Sequence, residues 1–211
     1  MTINCKGEIL ELSKDRAIYW ASKKMLIISD LHIGKGAHFR KAGIPVPATV
    51  NETDLDKLDK LLLDFSPEIL LVTGDMFHAH MNSEVENFKL WRSQYPELRL
   101  ILIKGNHDLL KPADYNGLSI EVYPEELLYF PFRFVHDQPR VFDEYYNITG
   151  HIHPGITIYG KARQHLKLPC FYFGKTCAIL PAFSVFTGLS KIKTEEGDQF
   201  YAITPEKVVA V

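Results

Sequence analysis

The chain has 211 residues, 46% hydrophobic and 24% charged, with a formal net charge of -2 and a pI near 6.5. That length suits one domain with a sizeable core, so residues 1–211 are expected to form a single domain. The charge balance excludes wrapping of nucleic acid by bulk positive charge, although divalent cations held at a site would add positive charge locally.

In chain order, residues 9–12 and 17–20 read as a hairpin about Ser13-Lys14-Asp15. Met25-Leu26-Ile27-Ile28 is a short, continuous apolar run, the pattern of a buried strand, and residues 69–72 and 100–103 repeat it. Leu55, Leu58, Leu62 and Phe65 fall at helical spacing, with Asp and Lys on the other face. Ser83 followed by Glu86 reads as a capping box that opens a second helix, with Val85, Phe88 and either Leu90 or Trp91 turned inward. Residues 132–135 and 146–149 are two more strands. After Gly155 the pattern turns to β, with hairpins about Gly174-Lys175 and about Thr204-Pro205-Glu206. Strands alternating with helices, then strands alone, predict an α/β layered domain around a pair of sheets.

The cysteines Cys5, Cys170 and Cys177 are few, odd in number and without CxxC spacing. They read as thiols of a reducing compartment. Cys170 and Cys177 flank a hairpin turn, but a disulfide there would run against that compartment. The N-terminus has no signal-peptide pattern, and no apolar run approaches the roughly 20 residues of a membrane span. A cytoplasmic protein with no membrane association is the expectation.

Five polar motifs each follow an apolar run: Ser29-Asp30-Leu31-His32, Gly74-Asp75, Gly105-Asn106-His107-Asp108, His136-Asp137 and Gly150-His151-Ile152-His153. Loops beyond the carboxyl ends of neighbouring parallel strands converge, so these motifs are expected to meet. Imidazole and carboxylate suit divalent ions such as Mn²⁺, Fe²⁺ or Zn²⁺. A pair of ions about 3.5–4 Å apart needs a bridging ligand, and Asp75, alone in its loop, is the candidate. Asp30 and His32, and likewise His151 and His153, are expected to share one side of an extended segment. The glycines before Asp75, Asn106 and His151 are expected to permit sharp turns. Any one fragment is commonplace on a protein surface; the five in this order, each after a strand, are not.

The series resembles the calcineurin-like metallophosphoesterase superfamily, whose pattern of D-x-H, G-D, G-N-H-D/E, H and G-H-x-H is met in order from Asp30 to His153. The resemblance implies a four-layer α/β/β/α sandwich of two mixed β-sheets flanked by helices. A narrower resemblance is to bacterial ligase-associated DNA damage response endonucleases of the PdeM type. It is carried by the run from Ser29 to Pro47, by Gly74-Asp75-Met76-Phe77-His78, by His151-Ile152-His153-Pro154, and by Leu180-Pro181-Ala182-Phe183 with Phe186-Thr187-Gly188. One departure is His136-Asp137-Gln138-Pro139, where that group has His-Glu-Pro; it leaves the ligand histidine intact.

The resemblance implies that Asp30, His32, Asp75 and His153 hold one ion, and Asp75, Asn106, His136 and His151 the other. A metal-bridging hydroxide would attack phosphorus, with Mn²⁺ the leading metal and Fe or Zn²⁺ as alternatives. His107, not assigned to a metal, is the candidate general acid, with Asp108 orienting it or raising its pKa; a histidine that merely fills the loop is the alternative. Lys35, His38, Arg40, His78 and His80 are candidate substrate contacts. The segment from Lys35 to Lys41, which includes Phe39, can grip a phosphate backbone or stack a base, or be a solvated loop.

The function expected is a metal-dependent phosphodiesterase, a DNA endonuclease in DNA repair. A phosphodiesterase or pyrophosphatase acting on nucleotides or lipid precursors is the alternative, and a catalytically silent scaffold on the same fold is a third. The narrower resemblance implies a functional link to a DNA ligase and a helicase. A homodimer through an edge strand of the C-terminal β region is also open.

Overall fold

A computed structural model of the chain describes residues 1–47, 49–78, 80–137, 144–160 and 165–211. Ala79 and the departure at Gln138-Pro139 lie outside the described residues. Thr2–Cys5 (β1), Glu8–Leu12 (β2), Ile18–Trp20 (β3), Met25–Ile28 (β4), Ile69–Val72 (β5), Arg99–Ile103 (β6) and Ile120–Tyr123 (β7) line up in that order as one sheet. Pairing is antiparallel from β1 to β4 and parallel from β4 to β7.

Glu126–Tyr129 (β8), Phe132–Val135 (β9), Tyr146–Thr149 (β10), Pro154–Tyr159 (β11), His165–Phe173 (β12), Cys177–Ile179 (β13) and Ser190–Lys191 (β14) form the second sheet, in the order β14-β11-β12-β13-β10-β9-β8. Gln199–Ile203 (β15) pairs with β12, and Val208–Ala210 (β16) pairs with β15. This sheet is mixed as well, since β10 runs parallel to both β9 and β13. Both hairpins expected near the C-terminus form, as β12–β13 and β15–β16.

The continuous apolar runs are explained by burial on both faces, as parallel strands require. Leu26, Ile28, Leu70, Val72, Leu100 and Leu102 point to the helices. Their neighbours Met25, Ile27, Leu71, Ile101 and Ile103 point to the second sheet, where they meet Phe132, Phe134, Ile148 and Phe171. Trp20 packs edge-on to Phe132 with ring centroids 4.9 Å apart. The two mixed sheets with helices expected of an α/β domain are therefore present.

The helices are Lys35–Lys41 (α1), Thr49–Phe65 (α2), Ser83–Arg92 (α3) and Pro112–Gly117 (α4). Leu55, Leu58, Leu61 and Leu62 of α2, and Val85, Phe88 and Trp91 of α3, fill the core on the outer face of the first sheet. Of the two residues considered for α3, Trp91 is inside and Leu90 is exposed. The cap of α3 is Asn82, whose side chain accepts from the amides of Glu84 and Val85, so Ser83 is the first helical residue and not the cap. Asparagine satisfies the free amides of a first turn as well as serine does.

The consequence for the site is directional. β4, β5 and β6 are parallel, so their carboxyl ends lie side by side, and so do those of β9 and β10. The loops leaving these ends carry the five motifs.

Candidate metal centre

Each loop is locked to its neighbours by backbone pairing. The amide of Asp30 donates to Gly74 O (3.0 Å), that of His32 to Asp75 O (2.9 Å) and that of Gly150 to His136 O (3.0 Å). The backbone at Asp30, His32, Asp75, His151 and His153 has φ between 50° and 65°. These residues are left-handed, so the extended segments expected from the sequence do not form. Left-handed residues alternating with ordinary ones fold each Asp-x-His or His-x-His stretch into a tight arch. Such a conformation is strained for residues with a Cβ and persists only where the surroundings hold it, commonly at functional sites.

The expected role of the glycines also changes. Gly74 does have positive φ, 94°. Gly150 matters for space: a Cβ there would lie 1.6 Å from Ser29 Oγ and 2.7 Å from Asp30 Oδ2. The loop must pass directly over the Asp30 carboxylate, and only glycine permits it.

Two groups of donors converge. Asp30, His32 and His153 bring one ligand atom each within 4.8 Å of one another, and so do Asp75, His136 and His151. In the first group, His153 Nε2 lies 3.1 Å from Asp30 Oδ1, yet neither atom has a hydrogen-bond partner, nor does either ring nitrogen of buried His32. In the second, His136 Nε2 lies 3.0 Å from Asn106 Oδ1, 3.1 Å from His151 Nδ1 and 3.5 Å from Asp75 Oδ1. Its other nitrogen faces the carbonyl of Thr73 at 3.1 Å, which fixes the ring and leaves Nε2 for a ligand role.

These separations fit a cation. Donors about 2.0–2.2 Å from one ion lie roughly 3 Å apart when at right angles. Buried polar atoms without partners are costly, and a cation at the first cluster would engage Asp30 Oδ1, His153 Nε2 and one ring nitrogen of His32. The protonation states agree: burial and the nearby Lys35 charge push the His32 imidazole down to about 3, which leaves it neutral and able to donate a lone pair. Burial works to raise the pKa of Asp30, but His153, Ser29 and His32 outweigh it and hold the carboxyl below its usual range.

His107 lies beside the centre. Its amide donates to Asp75 Oδ1 (2.9 Å), and its ring stacks on His78 with centroids 4.7 Å apart at 19° and meets His32 edge-on at 5.4 Å. Asp108 was expected to orient the His107 side chain, but its two oxygens accept from the amides of Phe77 and Gly105, each at 2.8 Å. It therefore ties the loop of Asp75 to the loop of Asn106. Burial raises its carboxyl to about 7.

The candidate substrate contacts divide. Lys35 and His38 lie on α1, whose His38 ring is 5.2 Å from that of His78. Burial lowers the Lys35 pKa against the opposing pull of Asp30 and Asp75, which places its ammonium within electrostatic reach of both ligand clusters. Burial, His107, Lys35 and His38 together push His78 down to about 4. Arg40 faces elsewhere: its Nη2 is 2.6 Å from Oε1 of buried Glu84, and its Nη1 donates to Val46 O. It clamps α1 to α3, which removes the guanidinium from the expected phosphate contact. His80 is exposed and its carbonyl accepts from Asn82. Phe186, which in the sequence carries only part of the narrower resemblance, packs edge-on to Phe39 at 5.8 Å. No spacing signal links a residue so late in the chain to α1.

The sequence profile of calcineurin-like phosphoesterases matches residues 23–198. Among solved structures, the nuclease MPE of Pseudomonas putida superposes with a TM-score of 0.83 at 31% identity, covering 100% of this chain and 99% of that one. The phosphoesterase Yfce of E. coli gives a TM-score of 0.47 at 11% identity over 89% of this chain and 97% of that one. No curated protein sequence matches the chain.

Proposed function

The chain belongs to the calcineurin-like phosphoesterase family, and on that premise we propose that it is a phosphodiesterase dependent on two divalent cations, acting as a nuclease. The observation that carries this reading is the convergence of two donor clusters, Asp30-His32-His153 and Asp75-His136-His151, from four separate loops. Asp30, His32 and His153 would hold one ion. His136, His151 and the Asn106 amide oxygen would hold the other, with Asp75 shared between them. When bound, such ions supply Lewis acidity to a phosphoryl oxygen and make water acidic enough to attack near neutral pH.

The chain's own residues do the rest. His107 donates a proton to the leaving oxygen as general acid. Asp108 keeps its loop in register with that of Asp75, acting as a positioning residue. Lys35 draws the anionic substrate to the centre. Asn106 contributes no charge, which limits repulsion of that anion. The nuclease assignment is supported by the likeness to the Pseudomonas putida nuclease over the whole chain. The narrower sequence resemblance supports a place in DNA repair alongside a DNA ligase and a helicase. The sparse cysteines Cys5, Cys170 and Cys177 support a reducing, cytoplasmic setting, and the imidazole and carboxylate donors suit Mn²⁺, with Fe or Zn²⁺ as alternatives.

The experiment is incubation with Mn²⁺ and three substrates: bis-p-nitrophenyl phosphate, p-nitrophenyl phosphate and linear single-stranded DNA. Cleavage of the first and third is expected. Cleavage of the first alone would redirect the reading to a small diester. No hydrolysis of any phosphate by metal-loaded protein would overturn it.

A further inference from the structure

Outward from the candidate metal centre, aromatic rings follow one another in contact. His78 stacks on His107 at 4.7 Å. Phe39 of α1 lies nearly parallel to His78, with centroids 6.2 Å apart at 28°. Phe186, in the loop after β13, meets Phe39 edge-on at 5.8 Å, and the Lys35 ammonium lies over the Phe186 ring at 5.7 Å. Both phenylalanines are only partly buried.

Isolated exposed apolar residues need no explanation. Here two rings from distant segments are brought together and held against the histidine row. The Phe186 loop is pinned from several sides: Arg16 Nη1 donates to the carbonyls of Ala182 (3.0 Å) and Ser184 (2.8 Å). The Ser184 amide donates to Asp30 O (3.2 Å), and the Phe186 amide to Ser184 Oγ (3.2 Å). The loop that carries Phe186 is thus hydrogen-bonded directly to a residue of the first donor cluster.

We propose that Phe39 and Phe186, with Lys35 beside them, form a stacking platform for a nucleobase joined to the phosphate being hydrolysed. The proposal rests on the phosphodiesterase reading and adds the group next to the phosphate. Aromatic faces bind bases whatever their identity, because every base has a π face, and each stacked base is worth roughly tenfold or more in affinity. A lysine over one of the rings places positive charge where the attached phosphate must pass. The base can belong to a nucleic-acid strand or to a small dinucleotide.

The test uses full-length protein loaded with Mn²⁺ and oligonucleotides with one cleavable phosphate, flanked either by a normal nucleotide or by an abasic residue, together with the matching pair of dinucleotides. The wild type is expected to favour the base-bearing oligonucleotide by about tenfold or more in kcat/KM, mainly through KM. Phe39→Leu with Phe186→Leu should bring that ratio close to one, and Phe39→Tyr with Phe186→Tyr should keep it. Preference in both substrate sizes would identify the single nucleotide as the unit recognised; preference in the oligonucleotide alone would identify a strand, and either supports the platform. A wild type that hydrolyses bis-p-nitrophenyl phosphate but ignores the base, or a leucine variant that still discriminates, would overturn the platform and leave the phosphodiesterase reading intact. Hydrolysis of no diester at all would overturn both.

Discussion

The backbone amide of His107 donates to Oδ1 of Asp75 over 2.9 Å. The residue assigned to move the proton is thereby fastened through its backbone to the carboxylate assigned to join the two ions, while its ring packs against His78 and His32. His107→Asn keeps the backbone amide and so should keep metal binding, while turnover falls by the roughly 10²–10⁴-fold expected of a lost general acid. Metal content by elemental analysis and kcat with bis-p-nitrophenyl phosphate check this together. Unchanged kcat would remove His107 from the chemistry.

Asp108 makes a different prediction. Both its oxygens accept backbone hydrogen bonds in a fully buried position. Asp108→Asn retains only one acceptor oxygen and turns an amino group toward the other donor. A buried donor left without its acceptor costs about 1–3 kcal/mol. Denaturant unfolding of the metal-free protein should show a loss of that size, and an unchanged midpoint would refute the bracing role.

Gly74 has φ of 94°, and a Cβ there would lie 2.0 Å from His136 Nδ1. Gly74→Ala should displace the His136 ring from its Thr73 carbonyl and abolish one ion while sparing the Asp30 cluster. Manganese titration read by calorimetry should then fall from two sites to one; two intact sites would show that the contact is not critical.

Lys57 supplies a test by pH. It lies buried between Asp54 and the carbonyl of Phe183, and burial, only partly offset by Asp54, lowers its pKa from 10.5 to about 8. Below about pH 8 both folded and unfolded chains carry the proton. Between about 8 and 10.5 the folded chain sheds it first, so the unfolded state binds more protons and stability rises with pH. At 1.36 kcal/mol per pKa unit, the full gain approaches about 3 kcal/mol. Unfolding free energies of wild type and Lys57→Met across that range should diverge in favour of the wild type; parallel curves would refute the shift.

Much of this architecture is legible in the residues. The runs at β4, β5 and β6 announce strands buried on both faces, and the candidate ligands stand out because each motif follows a strand. Strands β1, with Thr2 and Asn4, and β7, with Glu121, escape notice because they are edge strands whose polar residues hide the pattern. Helix α1 escapes because Lys35-Gly36-Ala37-His38-Phe39-Arg40-Lys41 has no apolar stripe. Its aromatic ring turns to the site and its arginine to Glu84. The left-handed arches at Asp30, His32, His151 and His153 are invisible for a further reason. Neighbouring loops impose them, against the local preference of any L residue.

The most direct measurement is anomalous diffraction from Mn²⁺-soaked crystals. Two peaks about 3.5–4 Å apart are predicted, one beside Asp30, His32 and His153, the other beside Asn106, His136 and His151, with Asp75 bonded to both. A single peak, or an Asp75 carboxylate that touches neither ion, would contradict the account.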